Sequence, residues 1–115
     1  MTQEEKQLLL QDFCARMAYG VKITDGLHIT TLKVRIDTAP ATLAQFINSK
    51  HLRYYLRPMD SMTEEERKIY MEISSHLCGE IAAKTMIDWL NKKMFDYRGL
   101  IPMSLVLEAP EGMYN

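Results

Sequence analysis

The apolar residues of this chain change period twice, and neither an all-helical nor an all-strand fold accommodates both changes. Leu9, Phe13 and Met17, flanked by Leu10 and Cys14, recur three and four residues apart as the stripe of an amphipathic helix, until Gly20 stops it. From Val21 the pattern turns β-branched: Val21-Lys22-Ile23-Thr24, then Asp25-Gly26, then Leu27 to Ile36. Asp-Gly between two such runs supplies the positive φ angles of a tight hairpin. In the second run Leu32, Val34 and Ile36 alternate with Lys33 and Arg35, which predicts one buried and one wet, basic strand face.

The helical period returns after Thr63. Ile69, Ile73 and Leu77 stripe one helix, with Tyr70 beside it and Gly79 ending or kinking it. Ala83, Met86, Ile87, Leu90 and Met94 stripe a second helix over 81–94, with Trp89 at its border. Two helix starts are marked by capping boxes, Thr2 with Glu5 and Thr63 with Glu66. Glu64, Glu65 and Glu66 add negative charge at the positive end of the helix dipole. Between these regions Pro40 opens a short helix over 40–48, with Leu43, Phe46 and Ile47 inward. Residues 51–62 are extended or irregular and suited to a third strand. The stretch from Leu100 to Glu108, with Pro102 inside, suits an edge strand or a packed tail. The expected fold class is α+β, with residues 1–115 as one domain.

Composition excludes several classes. With 47% hydrophobic and 25% charged residues the chain lies outside the signature of disorder, and its apolar runs are too short to span a membrane. An acidic N-terminus is unlike a secretory signal, which points to a soluble cytoplasmic protein. The two cysteines, Cys14 and Cys78, lie far apart in apolar helical patterns and read as reduced core thiols. A net charge of −1 argues against a protein dedicated to nucleic acid. The charge is uneven, however: residues 21–59 hold six bases against two acids, and 60–80 hold six acids against two bases.

The chain has no Gly-rich phosphate loop, Cys-x-x-Cys pair, His-Glu-x-x-His or Gly-x-Ser-x-Gly turn. His28, His51 and His76 have no spacing that aims two imidazoles at one ion, so no metal and no cofactor is expected. No catalytic residue is singled out. Two clusters mix aromatic faces with guanidinium groups that grip carboxylates or stack on bases: Arg53, Tyr54, Tyr55 and Arg57, and then Asp96, Tyr97 and Arg98 after Phe95. These seven are the candidate binding residues. The structural alternative has the tyrosines packed with their hydroxyls at the surface and Arg98 paired with Asp96 or Asp60.

The same stretches carry a resemblance. Cys14-Ala15-Arg16-Met17, Tyr19-Gly20-Val21-Lys22, Tyr55-Leu56-Arg57-Pro58-Met59 and Ser61-Met62-Thr63-Glu64-Glu65-Glu66 match at the N-terminal side. Asp88-Trp89-Leu90, Phe95 through Ile101 and Leu107 through Tyr114 match more densely at the C-terminal side. The chain resembles a family of short uncharacterised proteins of gut Bacteroides-type bacteria and of their prophages and phages. That family carries no assigned activity or cofactor, so the resemblance implies an origin and leaves function open. The leading expectation is a non-enzymatic interaction or accessory module with a protein partner. Nucleic-acid binding in a phage or mobile element is the second reading, and a small enzyme with an unmarked site the third.

Overall fold

The structure, a computed structural model, describes residues 2–33, 52–76 and 79–114. Helix α1, Gln3–Arg16, begins at the expected capping box, in which Thr2 Oγ1 accepts from the Glu5 amide and Glu5 accepts from the Thr2 amide. A single 3₁₀ turn, Met17–Tyr19, and Gly20 at φ +90° swing the chain into the sheet. Strands β1, Val21–Thr24, and β2, Ile29–Leu32, pair antiparallel, with Thr24 opposite Ile29. β3, Arg53–Leu56, pairs antiparallel with β1, and β4, Leu107–Glu108, pairs parallel with β3, giving the order β2-β1-β3-β4. A parallel pair needs a long crossover. Here it contains helices α2, Glu64–His76, and α3, Gly79–Lys92, which lie against each other.

The fold is therefore α+β, with the third strand and the short edge strand where the sequence places them. The core lies between α1, the inner face of β1 and β3, and the segment from Met94 to Val106; Phe13, Val21, Tyr54, Leu56 and Leu100 are wholly enclosed. Among the described residues no helix is long and apolar enough to cross a membrane.

Several expectations need correction. The hairpin has a four-residue loop rather than a two-residue Asp-Gly turn. Asp25 Oδ1 accepts from the amides of Leu27 and His28, while Thr24 Oγ1 accepts from Gly26 and donates to the His28 carbonyl. These side chains satisfy the loop's backbone, and Leu27 and His28 fall outside β2, exposed. Cys14 is exposed rather than in the core. On α3 the apolar stripe is buried only near its end: Leu90 and the following Met94 are enclosed, whereas Ala83 is exposed and Ile87 is 43% exposed, because most of the α2–α3 pair stands clear of the sheet. The helix expected over 40–48, the remainder of the second strand pattern, His51 and Cys78 lie outside the described residues.

The start of α2 is as expected: the Glu66 amide donates to Thr63 Oγ1 at 3.2 Å and the Thr63 amide to Glu66 Oε1 at 3.0 Å. Thr63→Ala lowers stability by about 1 kcal/mol in urea titration, while Thr63→Ser, which keeps the hydroxyl, is nearly silent. Equal losses for the two would mean that the methyl group, not the cap, is what matters.

Candidate functional site

The two aromatic and basic clusters come together through their backbones. The end of α3 closes as a Schellman motif: the Phe95 amide donates to the Leu90 carbonyl at 2.9 Å and the Met94 amide to that of Asn91 at 3.1 Å. Met94 takes the left-handed position, φ +63°, that glycine usually fills. This turns the next residues onto the end of β3. There the Arg57 amide donates to the Met94 carbonyl at 2.7 Å and the Asp96 amide to the Arg57 carbonyl at 2.8 Å. The Arg57 guanidinium lies 4.2 Å from the centre of the Phe95 ring. Asp96 then folds its carboxylate back to accept from the amides of Leu100 and Ile101.

Inward from this clasp lies a charged network. Leu9, Asp12, Phe13 and Arg16 form the buried face of α1, so a carboxylate and a guanidinium one turn apart are carried into the core. Arg16 Nε and Nη2 each donate to Asp12 at 3.0 Å, and Nη2 also donates to the Phe95 carbonyl at 2.7 Å. The Tyr54 hydroxyl donates to Asp12 Oδ2 and Arg98 Nη1 to Asp12 Oδ1, both at 2.6 Å. Arg16 Nη1, fully enclosed, finds no partner among the described residues. Burial and the adjoining Asp12 charge push the Tyr54 hydroxyl far above its ordinary pKa, so it stays a proton donor to Asp12. Arg16 and Arg98 both approach the Tyr97 ring, and the Tyr97 hydroxyl donates to Asn91 Oδ1.

Outward lies a cleft of about 440 Å³. One wall is Arg57, Pro58, Asp60, Ser61 and Thr63; the other is the C-terminal segment, Glu108 to Gly112 with Tyr114. That segment is pinned at both ends. The Ala109 amide donates to the Leu56 carbonyl, and the Tyr114 hydroxyl accepts from the Lys22 amide and donates to the Tyr55 carbonyl. Burial pushes the Tyr114 hydroxyl up to about 12. At the other wall, the Arg57 guanidinium meets both oxygens of Glu66 at 2.7 Å. That contact, with the Thr63 amide, holds the Glu66 carboxyl down at about 2.

A carboxyl with a depressed folded-state pKa contributes stability that is present above its unfolded value and lost as pH falls through the folded one. For Glu66 the loss runs from its ordinary 4.5 down towards 2. Glu66→Gln is expected to flatten the fall of the urea midpoint across that window. An unchanged acid limb would mean that the Arg57–Glu66 pair does not persist in solution.

Of the seven candidate residues, Tyr54 and Asp96 are buried and Tyr97 and Arg98 are largely occupied with the interior network. Arg98 pairs with Asp12, not with Asp96 or Asp60. Tyr55 is half-buried, and Arg53 is exposed and donates to the Ser104 carbonyl at 3.2 Å. Of the seven, Arg57 alone lines the cleft. Sequence reasoning missed Asp12 and Arg16, although their spacing with Leu9 and Phe13 follows the same helical period. It also did not single out the wall from Glu108 to Tyr114 as part of a site. Among the described residues no group of three His, Cys, Asp or Glu is placed to hold a metal ion. No family model, curated protein or solved structure matches the chain.

Proposed function

We propose that the protein is a non-enzymatic interaction module of the cytoplasm that binds another protein through the cleft between Arg57–Thr63 and Glu108–Tyr114. The observation that carries this reading is the cleft itself: an open site whose outer wall is an irregular segment, anchored at Ala109 and Tyr114 and exposed at Pro110, Glu111 and Gly112 between them. Anchored irregular segments on a rigid scaffold are where binding residues concentrate.

Nucleic acid is less well served by the same geometry. Tyr54 has no free face on which to stack a base, Arg57 is neutralised by Glu66, and Asp60, Glu108 and Glu111 oppose a phosphate backbone. Random duplex DNA is expected to bind more weakly than about 10 μM at physiological salt in fluorescence anisotropy. Tight, salt-dependent binding lost on Arg53→Ala would favour the nucleic-acid reading instead.

The resemblance to proteins of gut Bacteroides-type bacteria and their phages indicates where a partner is to be sought. The test is affinity capture from such a host, followed by titration of the purified partner and hydrogen exchange on the complex. Protection across residues 58–61 and 108–112 is the expected result. A partner whose footprint avoids both walls, or a monomer that captures nothing during growth or infection, overturns the reading.

A further inference from the structure

Among the described residues the cleft presents three carboxylates, Asp60, Glu108 and Glu111, and a single guanidinium, that of Arg57. Arg57 is not available to a ligand anion, because both its terminal nitrogens lie 2.7 Å from Glu66. The surface that the described residues offer to an occupant is therefore acidic. Pro58, Ala109, Pro110 and Tyr114 place apolar surface beside those carboxylates.

The three acids do not form a cluster able to hold a metal ion. A cation such as calcium needs several oxygens within about 2.3–2.6 Å of one point. Carboxylates set apart along two walls instead match positive charges set apart along a chain. A cleft of about 440 Å³ falls in the range that encloses a small ligand or a few side chains.

Building on the interaction-module reading, we infer that the cleft takes an extended, basic segment of the partner protein. Its Lys or Arg side chains meet Asp60, Glu108 and Glu111, and its intervening small or proline residues lie against Pro58, Pro110 and Tyr114. Complementary charge of this kind sets association rate and specificity, and it weakens as salt rises.

The test uses the full chain and two fluorescein-labelled decapeptides, alternating Lys-Pro and alternating Glu-Pro, with calcium chloride as a third probe. The Lys-Pro peptide is expected to shift the amide resonances of residues 59–63 and 108–112. The double variant Glu108→Gln/Glu111→Gln, at two exposed positions that do not disturb the fold, weakens it about five-fold. Glu72→Gln, on the outer face of α2, leaves the affinity unchanged. Equal binding of the two peptides, an unaltered affinity in the double variant, or shifts confined to other surfaces overturns the inference. Calcium alone shifting the same amides at micromolar concentration also overturns it, since the cleft would then be a cation site. If the Lys-Pro peptide fails while a captured partner still protects the two walls, the basic-segment inference falls and the interaction reading stands. If neither binds, both fall.

Discussion

Asp12→Asn is expected to lower stability by about 3–5 kcal/mol, a large share of the 5–15 kcal/mol typical of a domain. The side chain is fully buried and accepts from Arg16, Tyr54 and Arg98. Neutralising it strands the enclosed Arg16 guanidinium without a counter-charge, and an uncompensated buried charge costs far more than an ion pair contributes. The remedy should follow the same logic. Asp12→Leu combined with Arg16→Met removes the buried ion pair at similar volume and is expected to recover part of the loss, the rest remaining because the buried Tyr54 hydroxyl and the Arg98 guanidinium lose their acceptor. Arg98→Gln should be much milder, because Arg98 keeps 18% of its side chain in solvent and its removal leaves the Asp12–Arg16 pair intact. Urea midpoints of the three variants order the effects. If Asp12→Asn and Arg98→Gln cost the same, or if the apolar double variant recovers nothing, the network is not the interior anchor described above.

What the sequence revealed and what it hid follow from the range of the interactions involved. Both capping boxes were legible because Thr2 with Glu5, and Thr63 with Glu66, interact over three residues and need nothing from the rest of the chain. Pairing of β3 with β1 was legible as an extended segment in search of a neighbour. The hairpin loop was half legible: Asp25-Gly26 marked the turn, but the Thr24 and Asp25 side chains lengthen it by taking up three amides.

The centre of the α1 stripe, Leu9, Phe13 and Met17, is buried as expected, but its flank at Cys14 was misread because only apolar residues were counted. Asp12 and Arg16 extend the buried face on the side of Leu9 and Phe13 away from Cys14, which is left in solvent. The Schellman end at Met94 carries no glycine and so gave no signal. Arg98 and Asp12 are 86 residues apart, and no local pattern pairs them. The same holds for the cleft, whose walls meet because β4 pairs with β3, the Ala109 amide reaches the Leu56 carbonyl and the Tyr114 hydroxyl bonds to Lys22 and Tyr55. Interior and cleft nonetheless share one hinge of construction, the bridge between Arg57 and Phe95.

That bridge makes Phe95→Ala the second large effect. The ring is wholly buried, 5.7 Å from the Trp89 ring on one contact and 4.2 Å from the Arg57 guanidinium on another. Truncating a buried phenylalanine costs about 3–5 kcal/mol, from lost transfer free energy and from the cavity left behind. Phe95→Leu keeps most of the volume, loses the stacking, and is expected to cost under about 1.5 kcal/mol. The chain has one tryptophan, Trp89, so its emission reports directly on this contact. In Phe95→Ala the emission should shift towards that of a solvated indole before global unfolding. Arg57 loses the face on which it rests, so its grip on Glu66 should loosen and the Glu66 carboxyl should rise from about 2 towards its ordinary 4.5. The fall of stability between pH 4.5 and about 2 then flattens, as in Glu66→Gln, while the urea midpoint at neutral pH falls. A variant that lost stability while keeping the full acid fall would separate the two events, and Phe95 would be a core residue with no hold over the cleft.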